Sequence, residues 1–165
     1  MGDLNSSPRT WVAGEFVTQT MLNDELRIPL TLLQSAWTPW TPTLSSDTTA
    51  PSLGNSTLTG LYHRVGKSIM WRLRLVIGST FAAGAGSYFM SLPASIEGVM
   101  ATEDVVAVGS ITTGGVRRPI TACVQAAGTC YMLRNSTETL IGSGGPGVAW
   151  AAGHQLSLMG VHPIA

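Results

Sequence analysis

The chain has 165 residues, enough for one ordinary hydrophobic core and little left for a second. Only 11% of it is charged, against roughly 25% in an average soluble domain, so part of its 44% apolar content is expected to be covered by copies of itself or by other proteins. The net charge is zero and the nine basic residues are scattered, which argues against nucleic acid as partner, since phosphate binding needs a concentrated basic face.

No run of 18 apolar residues occurs, so no membrane span is expected, and the first residues lack the apolar core of a secretory signal. Residues 5–14 read as an extended lead-in with Trp11 as an anchor. A short amphipathic helix follows within residues 17–34. Thr18 or Thr20 is available as its cap, and Asn23, Asp24 and Glu25 place acidic charge near its start. Leu22, Leu26, Pro29 and Leu33 recur at heptad-like spacing, and Met21 and Leu30 widen the stripe. Pro29 lacks a backbone donor and should kink or split the helix near Arg27-Ile28. A helix this short is marginal alone in water, so the stripe needs a partner. Sister helices around an axis are one solution; packing on the chain's own β domain is the other.

From Trp37 the period changes to two. Leu58, Gly60, Tyr62 and Arg64 alternate with Thr57, Thr59, Leu61, His63 and Val65, and Val65-Gly66-Lys67-Ser68 reads as a tight turn. In the next strand Arg72 and Arg74 fall on one face, with Trp71, Leu73, Leu75 and Ile77 on the other. Further strands are expected at 88–92, 97–101, 105–112, 119–125, 129–133, 139–141 and 155–161. Short strands separated by Gly-rich turns imply a mainly β fold: a jelly-roll-like antiparallel β-sandwich preceded by an extended arm and one short α-helix. The expected division is residues 1–36 for arm and helix, and 37–165 for the β domain. Trp11-Val12-Ala13-Gly14 and Trp150-Ala151-Ala152-Gly153 look alike, each a Trp-anchored turn entering an ordered element.

Pro8-Arg9-Thr10-Trp11-Val12-Ala13-Gly14-Glu15, followed by Met21-Leu22-Asn23-Asp24-Glu25-Leu26-Arg27, resembles the opening of many small structural proteins of tailed phages, especially those of actinobacteria. Tyr62-x-Arg64-Val65-Gly66-Lys67, the alternating strand after it and Phe89-x-Ser91-Leu92-Pro93 are similar to the C-terminal β domain of phage tail fibres and minor tail proteins. Trp150-Ala151-Ala152-Gly153-x-x-Leu156-x-Leu158-x-Gly160 resembles the terminal strand of the same domains. Ile28-Pro29 stands where that group tends to have Asp-Asn, and His162-Pro163 replaces its Tyr-Glu type of ending.

The resemblance implies a homotrimeric virion component. Its N-terminal segment would attach to other virion proteins of the tail or the capsid, through Trp11, Met21, Leu22, Leu26, Leu30 and Leu33. Its β domain would face outward, as in a minor tail or fibre protein. A capsid decoration or head fibre protein is the alternative within the particle, and a soluble carbohydrate-binding module is the alternative outside it.

Candidate sites are few. Trp37 and Trp40 are candidates to stack on a host cell-surface glycan; the structural alternative is that they plug the base of the β domain or a subunit seam. Arg72 and Arg74, with Arg117-Arg118 elsewhere, are candidates for an anionic wall polymer or, more ordinarily, a solvated face. His63, His154 and His162 have no metal-ligand spacing, and the Gly-rich run 142–147 lacks the Gly-Lys-Ser/Thr ending of a phosphate loop. Cys123 and Cys130 are not spaced for zinc; buried thiols and a cross-strand disulfide both remain open. Asp47, Glu97, Glu103, Asp104 and Glu138 carry no local signature of a paired-carboxylate site. No cofactor, metal or enzymatic activity is expected.

Overall fold

The computed structural model describes residues 9–93, 104–126, 129–134 and 150–164. The strands expected at 97–101 and 139–141, the glycine-rich run 142–147, and Glu97, Glu103 and Glu138 lie outside the described residues.

The helix is α1 (Gln19–Leu22), a π-helical turn (Asn23–Arg27) and α2 (Ile28–Leu33) in one continuous run. Thr18 caps it: its hydroxyl accepts from the Met21 backbone N–H, while the Met21 sulfur accepts from the Thr18 N–H. Pro29 has no N–H to offer the Glu25 carbonyl, the bond an α-helix would make there. The backbone widens just ahead of it, with the Ile28 N–H reaching Asn23 O, five residues back. The break expected at Arg27-Ile28 is therefore a change of hydrogen-bond register rather than a split.

Among the described residues nine strands follow: β1 (Thr38–Trp40), β2 (Leu44–Ser46), β3 (Thr57–Val65), β4 (Ser68–Val76), β5 (Tyr88–Ser91), β6 (Val105–Thr113), β7 (Val116–Ala126), β8 (Thr129–Arg134) and β9 (Gln155–Pro163). The fold is mainly β, and every strand pair is antiparallel. The spatial order is β1-β3-β4-β9-β6-β7-β8-β5-β2. Hairpins account for β3-β4, β6-β7 and β7-β8. β9 inserts between β4 and β6, pairing Leu73 with Leu158 on one side and Gly109 with Leu158 on the other.

Alternation sets the two faces. In β4, Ile69, Trp71, Leu73 and Leu75 are buried while Met70, Arg72 and Arg74 are exposed; in β9, Leu156, Leu158 and His162 are buried while Met159 and Val161 are exposed. The buried side chains of β2, β4, β5, β6, β7 and β9 form one cluster. The helix residues that could cover an open sheet are themselves exposed, so the sheet covers itself, folding over into a sandwich around this single core. A β-bulge between Val105 and Ala107, opposite Cys123 and Ala122, increases the local bend where β6 meets β7.

Within the core the Trp71 indole N–H donates to His162 Nδ1 at 3.0 Å, which requires the ring proton to sit on Nε2. Trp40 lies over Gly60 and meets Trp71 edge to face, with ring centroids 6.0 Å apart. Trp150 packs between Phe81 and Tyr88. Gly109 lets β6 approach β9, since a Cβ there would stand 1.9 Å from the Ser157 carbonyl oxygen.

The two Trp-Ala-Gly segments form the same turn. Glu15 N–H donates to Val12 O, and His154 N–H to Ala151 O. Gly14 and Gly153 sit at the third position with φ of 83° and 84°, the left-handed region glycine enters without strain. Even the back-bonds correspond: the Val12 N–H donates to the Glu15 carboxylate, and the Ala151 N–H to His154 Nδ1.

Candidate functional site

Two surfaces stand out, and they meet at Trp37. The first is the N-terminal segment. Trp11, Leu22, Leu26, Leu30 and Leu33 are all exposed, and Met21 is half-buried through its capping contact. The leucines recur along the helix at intervals of four, four and three. They do not pack on the chain's own β domain. Val12, Val17, Ile28 and Phe16, the last 92% exposed, are further exposed apolar residues of the same segment. Sequence reasoning passed over Phe16 because it precedes the helix and belongs to no period. Arg9 ties the arm together: its guanidinium pairs with Glu15 and lies over Trp11, and its backbone N–H donates to Glu25 Oε2 at 3.3 Å.

The second surface is the outer face of β3, β4, β9 and β6. It holds a groove of about 490 Å³, with Arg72 and Arg74 in its lining and Leu61, Val108 and Met159 contributing its apolar part. Thr59, Ser110 and Ser157 line it with hydroxyl-bearing side chains. Strand register explains the grouping: Arg72 stands between Leu61 and Met159, and Arg74 between Thr59 and Ser157. Ser110 sits directly opposite Ser157, and Val108 opposite Met159. Arg74 Nη2 donates to Gln155 Oε1 at 2.8 Å. The Arg72 guanidinium lies 5.5 Å from the centre of the Trp37 ring. Trp37 in turn rests near His63, whose Nδ1 is 3.3 Å from the Ser35 hydroxyl. These contacts seat the segment after the helix on the β3 edge of the groove.

Trp37 and Trp40 do not form one stacking platform. Trp37 turns to the outer face and Arg72, whereas Trp40 turns inward over Gly60 toward Trp71. Arg117 and Arg118 lie on the β6-β7 hairpin, where Arg118 reaches the Thr113 hydroxyl, and not in the groove. Cys123 is buried and stands opposite Tyr131, while Cys130 stands opposite Val124, so the register offsets the two cysteines by one residue.

The other polar candidates serve local structure. Asp47 accepts from the Ser87 N–H and the Thr48 hydroxyl. Asn55, first residue of an Asn-Ser-Thr sequence, clasps the β4-β5 connection. Its side-chain oxygen accepts from the Thr80 N–H and hydroxyl, and its amide donates to Ser79 Oγ. Among the described residues no group of His, Cys, Asp and Glu could hold a metal ion, and no carboxylate lines the groove. No described helix is long and apolar enough to cross a membrane.

No protein-family model, curated protein or solved structure matches the chain.

Proposed function

We propose that the protein is a non-enzymatic structural subunit of a tailed-phage virion, a homotrimeric minor tail or fibre protein. Its N-terminal segment joins sister subunits and the particle, and its β domain stands outward. One observation carries this reading: the apolar stripe of Leu22, Leu26, Leu30 and Leu33 is unsatisfied within the chain. A helix of this length gains its stability from a packed apolar face, so the stripe is a contact waiting for its partner. The motif resemblance names the setting, and the low charge agrees with extensive burial between subunits. Three subunits also multiply weak distal contacts into avidity.

Analytical ultracentrifugation of the full chain at micromolar concentration tests the assembly. A mass of three chains is expected, and Leu26→Ser with Leu30→Ser should reduce it to one while the β-sheet circular dichroism persists. A stable single chain before substitution overturns the trimer. Peptide mapping of purified particles then tests the virion: tens of copies support a tail component, and hundreds support the capsid decoration reading.

A further inference from the structure

We propose that the outer-face groove between β3, β4, β9 and β6 is a binding site for an anionic saccharide, with Arg72 and Arg74 as the anion-recognising pair. The site is complete within one chain and does not depend on the assembly proposed above.

Arg72 and Arg74 are two residues apart on one strand, so their Cα atoms lie about 7 Å from each other. Among the described residues no carboxylate forms an ion pair with Arg72 or Arg74, and none lines the groove. Both are nevertheless held. Gln155 grips Arg74 through a hydrogen bond, and the Trp37 ring supports Arg72 from the side. A held guanidinium presents its planar donor fork with less entropy left to lose, which suits carboxylate and phosphate oxygens.

The rest of the lining favours a sugar as the carrier of that charge. Thr59, Ser110 and Ser157 bring hydroxyls able both to donate and to accept, matching the hydroxyl pattern of a pyranose. Leu61, Val108 and Met159 offer apolar surface to its C–H face. A groove of about 490 Å³ falls within the size of ordinary small-molecule sites. Two arginines in a chain of zero net charge do not make a nucleic-acid track. A neutral glycan would leave both guanidiniums without a counter-charge.

Isothermal titration calorimetry of the full chain with trigalacturonate, galactose 1-phosphate and maltotriose separates the cases. Binding of trigalacturonate or galactose 1-phosphate is expected, weakening as sodium chloride is added, and the stronger of the two identifies carboxylate or phosphate as the group recognised. Arg74→Gln should weaken it about tenfold or more, and Arg72→Gln with Arg74→Gln should abolish it, with thermal unfolding and sedimentation unchanged. Equal binding of maltotriose, no binding of either anion at millimolar concentration, or unchanged affinity in the double variant overturns the proposal. So does a loss of oligomer mass in the arginine variants, which would make the groove a seam between subunits.

Discussion

At the scale of single residues, glycines and aromatic rings set how closely the strands come together. Gly109 is the sharpest case, because the obstacle to a Cβ is the Ser157 carbonyl, which belongs to the β6-β9 ladder and cannot swing aside. Gly109→Ala is expected to cost about 2 kcal/mol or more and to lower the thermal midpoint by about 5–10 °C, read by calorimetry. The paired Trp-Ala-Gly turns show what a sequence can reveal at this scale. A glycine three residues after a tryptophan, followed by a side chain able to accept a hydrogen bond, is a local signal, and both copies fold as it implies. The meeting of Arg72 and Arg74 in one groove was legible only as shared parity on one strand. Their neighbours Ser157 and Met159 come from a strand more than 80 residues away, and no local pattern announces that meeting.

At the scale of elements, the helix and the long hairpins follow directly from period. The alternation of β4 between arginines and apolar residues matches its burial along the strand. β1 and β2 escaped notice because each has only three residues, too few for a period, and Pro39 sits inside β1. Proline is tolerated there because β1 is an edge strand with a single neighbour. The π-turn escaped as well: Pro29 signals a missing donor, but whether the chain kinks, splits or widens depends on which carbonyl the next N–H reaches. Pro29→Ala restores the donor, and the segment Asn23–Arg27 should revert to α-helical spacing. Because that change rotates Leu30 and Leu33 relative to Leu22, the variant should gain helical circular dichroism yet associate less tightly in ultracentrifugation. Unchanged association would separate the stripe from subunit contact.

At the scale of the whole molecule, one core carries the stability, and Tyr88 reports on it. Its ring is buried, its hydroxyl donates to the Ala83 carbonyl, and burial pushes its pKa from 10.0 up to about 12. The unfolded chain therefore ionises first. This contribution is fully present below pH 10, falls as the pH rises toward about 12, and is lost beyond it. Two pKa units correspond to about 2–3 kcal/mol. Urea unfolding between pH 9 and 12 should show the parent losing about that much more than Tyr88→Phe; parallel curves would mean the ring is ionised as easily inside as outside. Mainly β architecture was legible from composition and period, but strand order was not, because neighbours in the sheet are set by packing between distant segments.

The position of β9 has a consequence for biosynthesis. A ribosome delivers this strand after the other eight described ones, yet it belongs in the middle, joining the block that begins with β1 to the block that begins with β6. Until it emerges, β4 and β6 each carry a bare edge and the core has no floor beneath Trp71. A chain cut short of Gln155 would therefore lack the strand that unites the two blocks, leaving the gap at the centre of the sheet and not at its rim.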